Sequence, residues 1–243
     1  MNRIKGLFIF GVCFIFLVGN IAIASTPIET YSFHTAILDD KAVKHEFVHD
    51  INVKASAKRS RELCYSFIGS KWKNLPVQYT INPDNPQFLS DDFVISAIST
   101  SAETWDKAIG KEIFNDEYII DTTAVPNVRD GKNTLGFILY PSASIIAGAS
   151  VWTTPEGEII EADVLFNTAF EWGDATLNPE KMDLQNLATH ELGHVLGLGD
   201  LYSGSCRSVT MFAPSSYGQT QKRTLEKADI TGLKKLYRKS TLS

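Results

Sequence analysis

Hydrophobic residues recur every three or four positions in some stretches of the chain and alternate with polar residues in others. The three- and four-residue spacing after Ser90 predicts a helix with one apolar face, which begins at Ser90 as N-cap and stops at Gly110. The same spacing predicts a second helix over 180–196 that ends at Gly197, and a third over about 225–237.

Strand patterns occur mainly in the first two thirds of the chain. Alternation predicts a strand within 75–81. Four more strands are predicted where β-branched and aromatic residues cluster between turn sequences, near 117–121, 134–140, 144–153 and 158–167. Because strands come first and most helices later, the pattern predicts an α+β fold with a single sheet.

The N-terminal residues have the order of a signal peptide. Two basic residues precede an apolar run from Leu7 to Val18, and the small-residue sequence Ala22-Ile23-Ala24 follows. The run is shorter than the roughly 20 residues that cross a bilayer. We therefore predict a signal peptide over 1–24 and a secreted or periplasmic protein without stable membrane insertion after cleavage. An uncleaved membrane anchor is the alternative.

Charge narrows the class of partner. The chain carries 23 basic and 28 acidic residues, a net charge of −5. Without residues 1–24, which hold Arg3, Lys5 and no acidic residue, 21 basic and 28 acidic residues remain, a net charge of −7. Such an acidic chain argues against nucleic acid as a partner.

Two cysteines, Cys64 and Cys206, remain after removal of the predicted signal peptide. In an oxidising compartment a disulfide between them can persist, and we predict this bond. The alternatives are a Cys64 thiolate that covers a metal from a pro-segment, or two unpaired buried thiols.

A change in composition near residue 63 marks a boundary. Residues 25–63 are polar and end in a basic cluster, whereas 64–240 have the composition of one packed domain. The extension 25–63 is either a propeptide removed near this cluster or an ordered N-terminal arm. The cluster consists of Lys54, Lys58, Arg59 and Arg61.

Candidate chemistry lies at the end of the second predicted helix, where the sequence reads His-Glu-Leu-Gly-His-Val-Leu-Gly-Leu-Gly-Asp. On a helix His190 and His194 are neighbours, about 5–6 Å apart at Cβ, and can bind one ion. Glu191 points to the adjacent flank, where it can reach a metal-bound water. Gly197 permits the turn that brings in Asp200 as third ligand. Three ligands and an open position are typical of catalytic zinc.

With Gly197 and Asp200 included, the motif resembles that of the metzincin clan of zinc peptidases, whose last position is His or, in some bacterial members, Asp. The segment 208–214, Ser-Val-Thr-Met-Phe-Ala-Pro, is similar to the Met-turn of that clan. This resemblance implies that Met211 lies beneath the metal as an apolar floor.

A longer resemblance, over nearly all of 64–240, is to matrixin-type catalytic domains. It is carried by Trp72, the strand within 75–81, Trp105 and the closing segment 225–237, in addition to the zinc helix and the Met-turn. It implies a zincin/metzincin-like fold, with a single twisted, mainly five-stranded sheet packed on long helices and a zinc cleft above the Met-turn.

Several positions depart from the matrixin pattern. Matrixins usually carry His where Asp200 stands, and a carboxylate there should acidify the bound water less. In the segment that resembles their structural zinc and calcium site, the usual His is Leu165 and an Asp is Asn167. The family's Cys-containing pro-segment motif is missing around Cys64. We predict one catalytic Zn²⁺ and no structural zinc, and leave calcium open.

A second copy of His-Glu-x-x-His runs from His45 to His49 in the extension. It lacks the following Gly, has Ala55 at the position of the third ligand, and has the alternation of a strand. We interpret this copy as part of a solvated arm and not as a catalytic metal site.

Together these features predict a secreted, monomeric zinc-dependent endopeptidase that acts on protein or peptide substrates through a zinc-bound water activated by Glu191. By resemblance, an extended substrate would pair with an edge strand near 144–152, and the pocket for the side chain after the cut would lie beside 214–222. One alternative is a catalytically idle zinc-binding adhesion or interaction domain of peptidase origin. Another is a peptidase whose main substrate is its own extension.

Overall fold

The computed structural model describes residues 33–39, 42–56 and 63–237. The predicted signal peptide and three residues of the basic cluster lie outside the described residues. The helices are α1 (Asp91–Ile109), α2 (Leu184–Val195) and α3 (Lys227–Tyr237). The strands are β1 (Phe33–Asp39), β2 (Ala42–Asp50), β3 (Ser66–Phe67), β4 (Thr80–Ile81), β5 (Ile119–Ile120), β6 (Thr134–Ile138), β7 (Ile145–Thr153), β8 (Ile159–Asn167), β9 (Trp172–Gly173), β10 (Met182–Asp183) and β11 (Leu198–Gly199).

Helix α1 has the predicted bounds because its caps are local. The Ser90 hydroxyl accepts a hydrogen bond from the Phe93 N–H at 3.3 Å, and Asp91 and Asp92 lie in the positively polarised first turn. Gly110 ends the helix with φ 63°, a conformation that glycine adopts at low cost.

Helix α2 begins at Leu184, four residues later than the predicted start at position 180. The carboxylate of Asp183 accepts the Asn186 N–H at 2.8 Å and so caps the helix at that point. Just before the cap, Met182 and Asp183 pair with β9 instead of continuing the helical pattern upstream. The predicted third helix also begins two residues later, at Lys227.

A mixed sheet forms one side of the domain, in the order β1-β2-β7-β8-β6-β4-β5. The five strands from β7 to β5 confirm the predicted five-stranded α+β sheet. Strands β8, β6, β4 and β5 are parallel neighbours, whereas β7 runs antiparallel to β8. Strand β4 is shorter than the alternation predicted, since only Thr80 and Ile81 pair in the sheet.

The extension adds the two remaining strands, and the prediction of a solvated arm is wrong. Strand β2 forms a hairpin with β1 and pairs antiparallel with β7, from Val43 opposite Thr153 to Asp50 opposite Ile145. Burial of Phe47, Val48 and His49 on docking explains why this segment is part of the fold. The predicted edge strand near 144–152 is therefore covered by β2.

Helix α2 packs between the sheet and α1, and all its residues except Gln185 are buried. Two side chains of α1 hold it in place. The Trp105 indole donates to the Thr189 carbonyl at 2.8 Å, and the Ser101 and Thr189 hydroxyls are 3.0 Å apart. A rigid, water-excluded helix thus carries the His-Glu-x-x-His motif.

The predicted disulfide between Cys64 and Cys206 is present and links residues 142 positions apart. Beside it, β3 pairs antiparallel with β11, just ahead of Asp200. Together these contacts fasten the start of the domain to the segment that follows α2. Among the helices described, none has the length and apolar character needed to cross a bilayer.

Candidate metal centre

The two histidines of α2 face one point. The ring centroids of His190 and His194 are 5.0 Å apart. Each Nδ1 lies against a backbone carbonyl, that of Thr210 at 2.5 Å for His190 and that of Leu198 at 2.9 Å for His194. Because a carbonyl only accepts hydrogen bonds, each Nδ1 carries the proton and each Nε2 turns a lone pair inward.

Asp200 arrives beside this pair from a different direction. Its Oδ1 lies 3.3 Å from the Nε2 of His190 and 3.5 Å from that of His194. The turn depends on Gly197, which has φ 95°, and a Cβ there would lie 2.3 Å from the Ser70 carbonyl oxygen. The Tyr202 hydroxyl donates to the other carboxylate oxygen at 3.2 Å and orients it.

Buried polar atoms at this point lack the partners that such atoms need. Within the described part of the chain, His194 Nε2 and Asp200 Oδ1 make no hydrogen bond. The carboxylate of Glu191, which is fully buried next to them, also makes no hydrogen bond to the described residues. Its Oε1 lies 3.3 Å from the ring of His49 in the extension. A cation would satisfy this set, so the residues fit a metal ion.

For His190 and Asp200, burial and the neighbouring groups favour the protonation states that a metal requires. Burial holds the pKa of His190 well below its usual value, and the nearby Lys222 ammonium lowers it further. For Asp200 burial alone would raise the pKa, but His49 and His194 together hold it well below the usual range. A neutral imidazole and an ionised carboxylate are the ligand forms of a divalent metal.

The segment 208–214, which resembles a Met-turn, packs against α2. Met211 is buried, and a Cβ on Gly193 would lie 2.2 Å from its sulfur, so glycine at this position permits the close packing of α2 on Met211. The Asp229 carboxylate of α3 accepts the N–H groups of Thr210 and Met211 at 2.9 and 3.2 Å. Asp229 thereby positions the Thr210 carbonyl that orients His190, a role the sequence did not reveal.

His49 of the extension lies beside His190, His194 and Asp200. This position contradicts the interpretation of the first motif copy as solvated. Its ring is buried, with Nε2 at 3.0 Å from the Nε2 of His190 and 3.3 Å from Glu191 Oε1. Ligand atoms of His49, His190, His194 and Asp200 all lie within 4.8 Å of one another. The sequence signal for the burial of His49 was the alternation of Val43, Phe47 and His49, because this alternation predicts one apolar face on a strand.

In the segment that resembles a second metal site, the polar side chains of β8 form hydrogen bonds to the backbone of neighbouring segments. The buried Asp163 carboxylate accepts the N–H groups of Thr134 and Val128 at 2.8 and 3.1 Å, and burial raises its pKa to about 7. Asn167 donates to the carbonyls of Ser142 and Ile145 and so fixes the turn before β7. These side chains bind backbone groups next to the strands they support.

The loop 214–222 is fastened to α2 through Lys222. The Lys222 N–H donates to Asn186 at 2.7 Å, and its fully buried ammonium donates to the Ser215 hydroxyl at 2.7 Å. Burial lowers the pKa of this ammonium to about 8. The pocket for the side chain after the cut, predicted beside this loop, stays a prediction.

Two comparisons place the chain among known proteins. The model of the family described as Matrixin matches residues 71–238. A stretch of 67 residues is 42% identical to Metalloendoproteinase 1 of Glycine max, which covers 27% of this chain and 21% of that relative. The chain thus spans about a fifth of the length of this curated relative. The family match covers most of the sequence and includes the zinc helix and the Met-turn, so this chain belongs to the matrixin family.

Proposed function

We propose that this chain is an exported zinc-dependent endopeptidase whose metal is held by His190, His194 and Asp200. The observation that carries the proposal is the convergence of two inward Nε2 atoms and one carboxylate oxygen beside the buried Glu191. Zn²⁺ bound there supplies a Lewis acid that polarises a carbonyl and acidifies water. The name of the Glycine max relative, a metalloendoproteinase, agrees with this chemistry.

Glu191 is the general base in this proposal. Its carboxylate is fully buried on the fixed helix α2, directly after the ligand His190. It accepts the proton of the attacking water and delivers it to the leaving amine, while its helix keeps it from swinging away. General acid–base groups of this kind contribute about 10²- to 10⁴-fold to the rate.

The cleft suits an extended segment of polypeptide. Strand β7 lies along the site, and in this structure it already pairs with a strand over its whole length. An extended protein substrate can use the same backbone donors and acceptors once they are free. Unfolded or extended protein segments are therefore the proposed substrate class.

Hydrolysis of casein by the full chain tests the proposal. Zinc-loaded protein is assayed before and after a brief digestion with trypsin, which is then inhibited, and with and without a chelator. We expect chelator-sensitive hydrolysis that Glu191→Ala lowers by about 10²- to 10⁴-fold while zinc stays bound.

Glu46→Ala is the matched control, because Glu46 holds the same place in the first motif copy but pairs with Lys44 at 3.3 Å. After digestion this variant should match the unaltered protein. Near-normal hydrolysis by Glu191→Ala contradicts the mechanism. Zinc binding without hydrolysis in any form favours an idle zinc-binding domain instead.

A further inference from the structure

We propose that His49 is a fourth metal ligand, carried into the substrate cleft by strand β2 of the extension, and that this strand keeps the enzyme latent. The inference rests on the proposed function, because latency presupposes an active site. It gives the extension, which the sequence left as either a propeptide or an ordered arm, a specific metal ligand and an inhibitory role.

His49 has the same arrangement as the two helical ligands. Its Nδ1 lies 3.3 Å from the Ala213 carbonyl oxygen, as the Nδ1 atoms of His190 and His194 lie against carbonyls of their own. The carbonyl takes the proton-bearing nitrogen and leaves the Nε2 lone pair directed at the cluster. Three histidines are thus oriented in one way toward one point.

Three of the distances among the inward atoms are close to those of a tetrahedral site. Two nitrogens bound at the usual Zn–N distance of a tetrahedral ion lie roughly 3.3–3.4 Å apart. The Nε2 atoms of His49 and His190 are 3.0 Å apart, and Asp200 Oδ1 lies 3.3 and 3.5 Å from the helical histidines. Because each Nδ1 lies against a carbonyl, a contact of 3.0 Å between these two Nε2 atoms requires either a proton or a metal ion between them. Three histidines and one aspartate leave no open position.

Strand β2 also fills the place of a substrate. It pairs antiparallel with β7 from Val43 to Asp50, which uses the backbone groups that an extended substrate would need. A Cβ on Gly148 would lie 2.5 Å from the Phe47 carbonyl oxygen, so glycine at this position permits the close approach of β2.

Side chains of β2 cover the reacting groups. The Phe47 ring stacks on His194 with centroids 4.2 Å apart and planes at 9°. His49 Nε2 lies 3.3 Å from Glu191 Oε1, in the space where the attacking water must meet its base. A chain in this state lacks both the open metal position and the water beside Glu191.

X-ray absorption at the zinc edge tests the ligand directly and requires no turnover. In the full chain loaded with one equivalent of zinc, we expect three imidazoles and one oxygen ligand. His49→Ala should lose one imidazole in exchange for a light-atom ligand. His45→Ala is the matched control, because it removes the other histidine of the same motif on the same strand and should leave the spectrum unchanged.

Casein hydrolysis by the same undigested proteins tests latency. We expect His49→Ala to hydrolyse casein at least about tenfold faster than the unaltered chain, and His45→Ala to match the unaltered chain. His49→Asn, which keeps a polar side chain of similar size, guards against an effect of misfolding and should behave like His49→Ala.

The two proposals fail in different ways. Two imidazoles in the unaltered chain, or the same spectrum in His49→Ala, overturn the inference even if zinc-dependent hydrolysis is strong. Equal hydrolysis by unaltered and His49→Ala chains overturns latency. Absence of hydrolysis from every form, digested or not, overturns the endopeptidase proposal, while loss of an imidazole in His49→Ala still identifies His49 as a ligand.

Discussion

The two copies of His-Glu-x-x-His show how the backbone decides what a motif can do. In both a strand and a helix, residues four apart share a face. On α2 this brings the rings of His190 and His194 to 5.0 Å, whereas on β2 the rise of about 3.3 Å per residue separates the two histidines by roughly 13 Å. His45 therefore reaches Thr153 at 3.2 Å, and only His49 reaches the metal centre.

The glutamates of the two copies differ for the same reason. Successive side chains of a strand point to opposite faces, so Glu46 lies on the other face of β2 from His45. It pairs with Lys44 at 3.3 Å. On a helix the next residue is turned by only about 100°, which keeps Glu191 on the flank of the metal centre. A helical copy places its carboxylate beside its two histidines, and a strand copy does not.

The largest difference should appear in zinc affinity. His194→Ala removes a proposed ligand, and we expect zinc binding at least about 100-fold weaker. Loss of a residue that only hydrogen-bonds to a metal ligand typically weakens binding by about 10- to 100-fold. His45→Ala should change the affinity by less than about twofold, since His45 contacts Thr153 and Thr35 instead of the centre. Competition with a chromophoric chelator measures both constants. If both variants lose zinc affinity equally, the two motif copies do not differ in their contribution to zinc binding.

The fourth motif position should show a smaller contrast in stability. Gly193→Ala places a methyl group against Met211 and Trp105, and overpacking of this kind costs about 1–3 kcal/mol in the free energy of unfolding. Val48→Ala, at the same motif position on β2, should mainly speed hydrogen exchange of β2 amides. Urea unfolding and amide exchange separate the two effects. If Val48→Ala lowers the free energy of unfolding as much as Gly193→Ala does, the view that β2 opens separately is contradicted.

The smallest expected effect is on how the opening of β2 depends on pH. Burial lowers the pKa of His45, so the folded state takes up its proton at lower pH than the unfolded state. Stability contributed by neutral His45 is present above the unfolded value of about 6.5 and is lost as pH falls through the folded value. We expect the protection of β2 amides, that is, the intrinsic exchange rate at a given pH divided by the observed rate, to fall on acidification, and to fall less in His45→Gln. An identical fall in both proteins would exclude His45 as the titrating group.

Features with local causes could be predicted from the sequence. The Ser90 cap and Gly110 define α1, the histidine spacing defines the helical half of the centre, and Gly197 explains the turn to Asp200. The five-stranded sheet follows from β-branched runs separated by turns. Each of these depends on residues within a few positions of one another.

The role of the extension has a long-range cause and could not be predicted in this way. Val43 and Thr153 pair across more than a hundred residues, and no local pattern encodes that pairing. From the sequence, the first motif copy is interpreted as part of a solvated arm because it lacks the following Gly and the third ligand of the second copy. The burial of His49 depends on contacts with β7 and α2, which lie far from it in the sequence.

The Cys64–Cys206 disulfide has a consequence for how β2 is held. The bond begins after the extension, so a cut between Asp50 and Cys64 leaves no covalent link between β2 and the domain. While tethered, a strand faces its groove at an effective concentration of about millimolar, whereas a freed peptide in micromolar protein is about a thousandfold more dilute. One hydrolysed bond would thus let dilution carry the strand away, and the departure would not reverse.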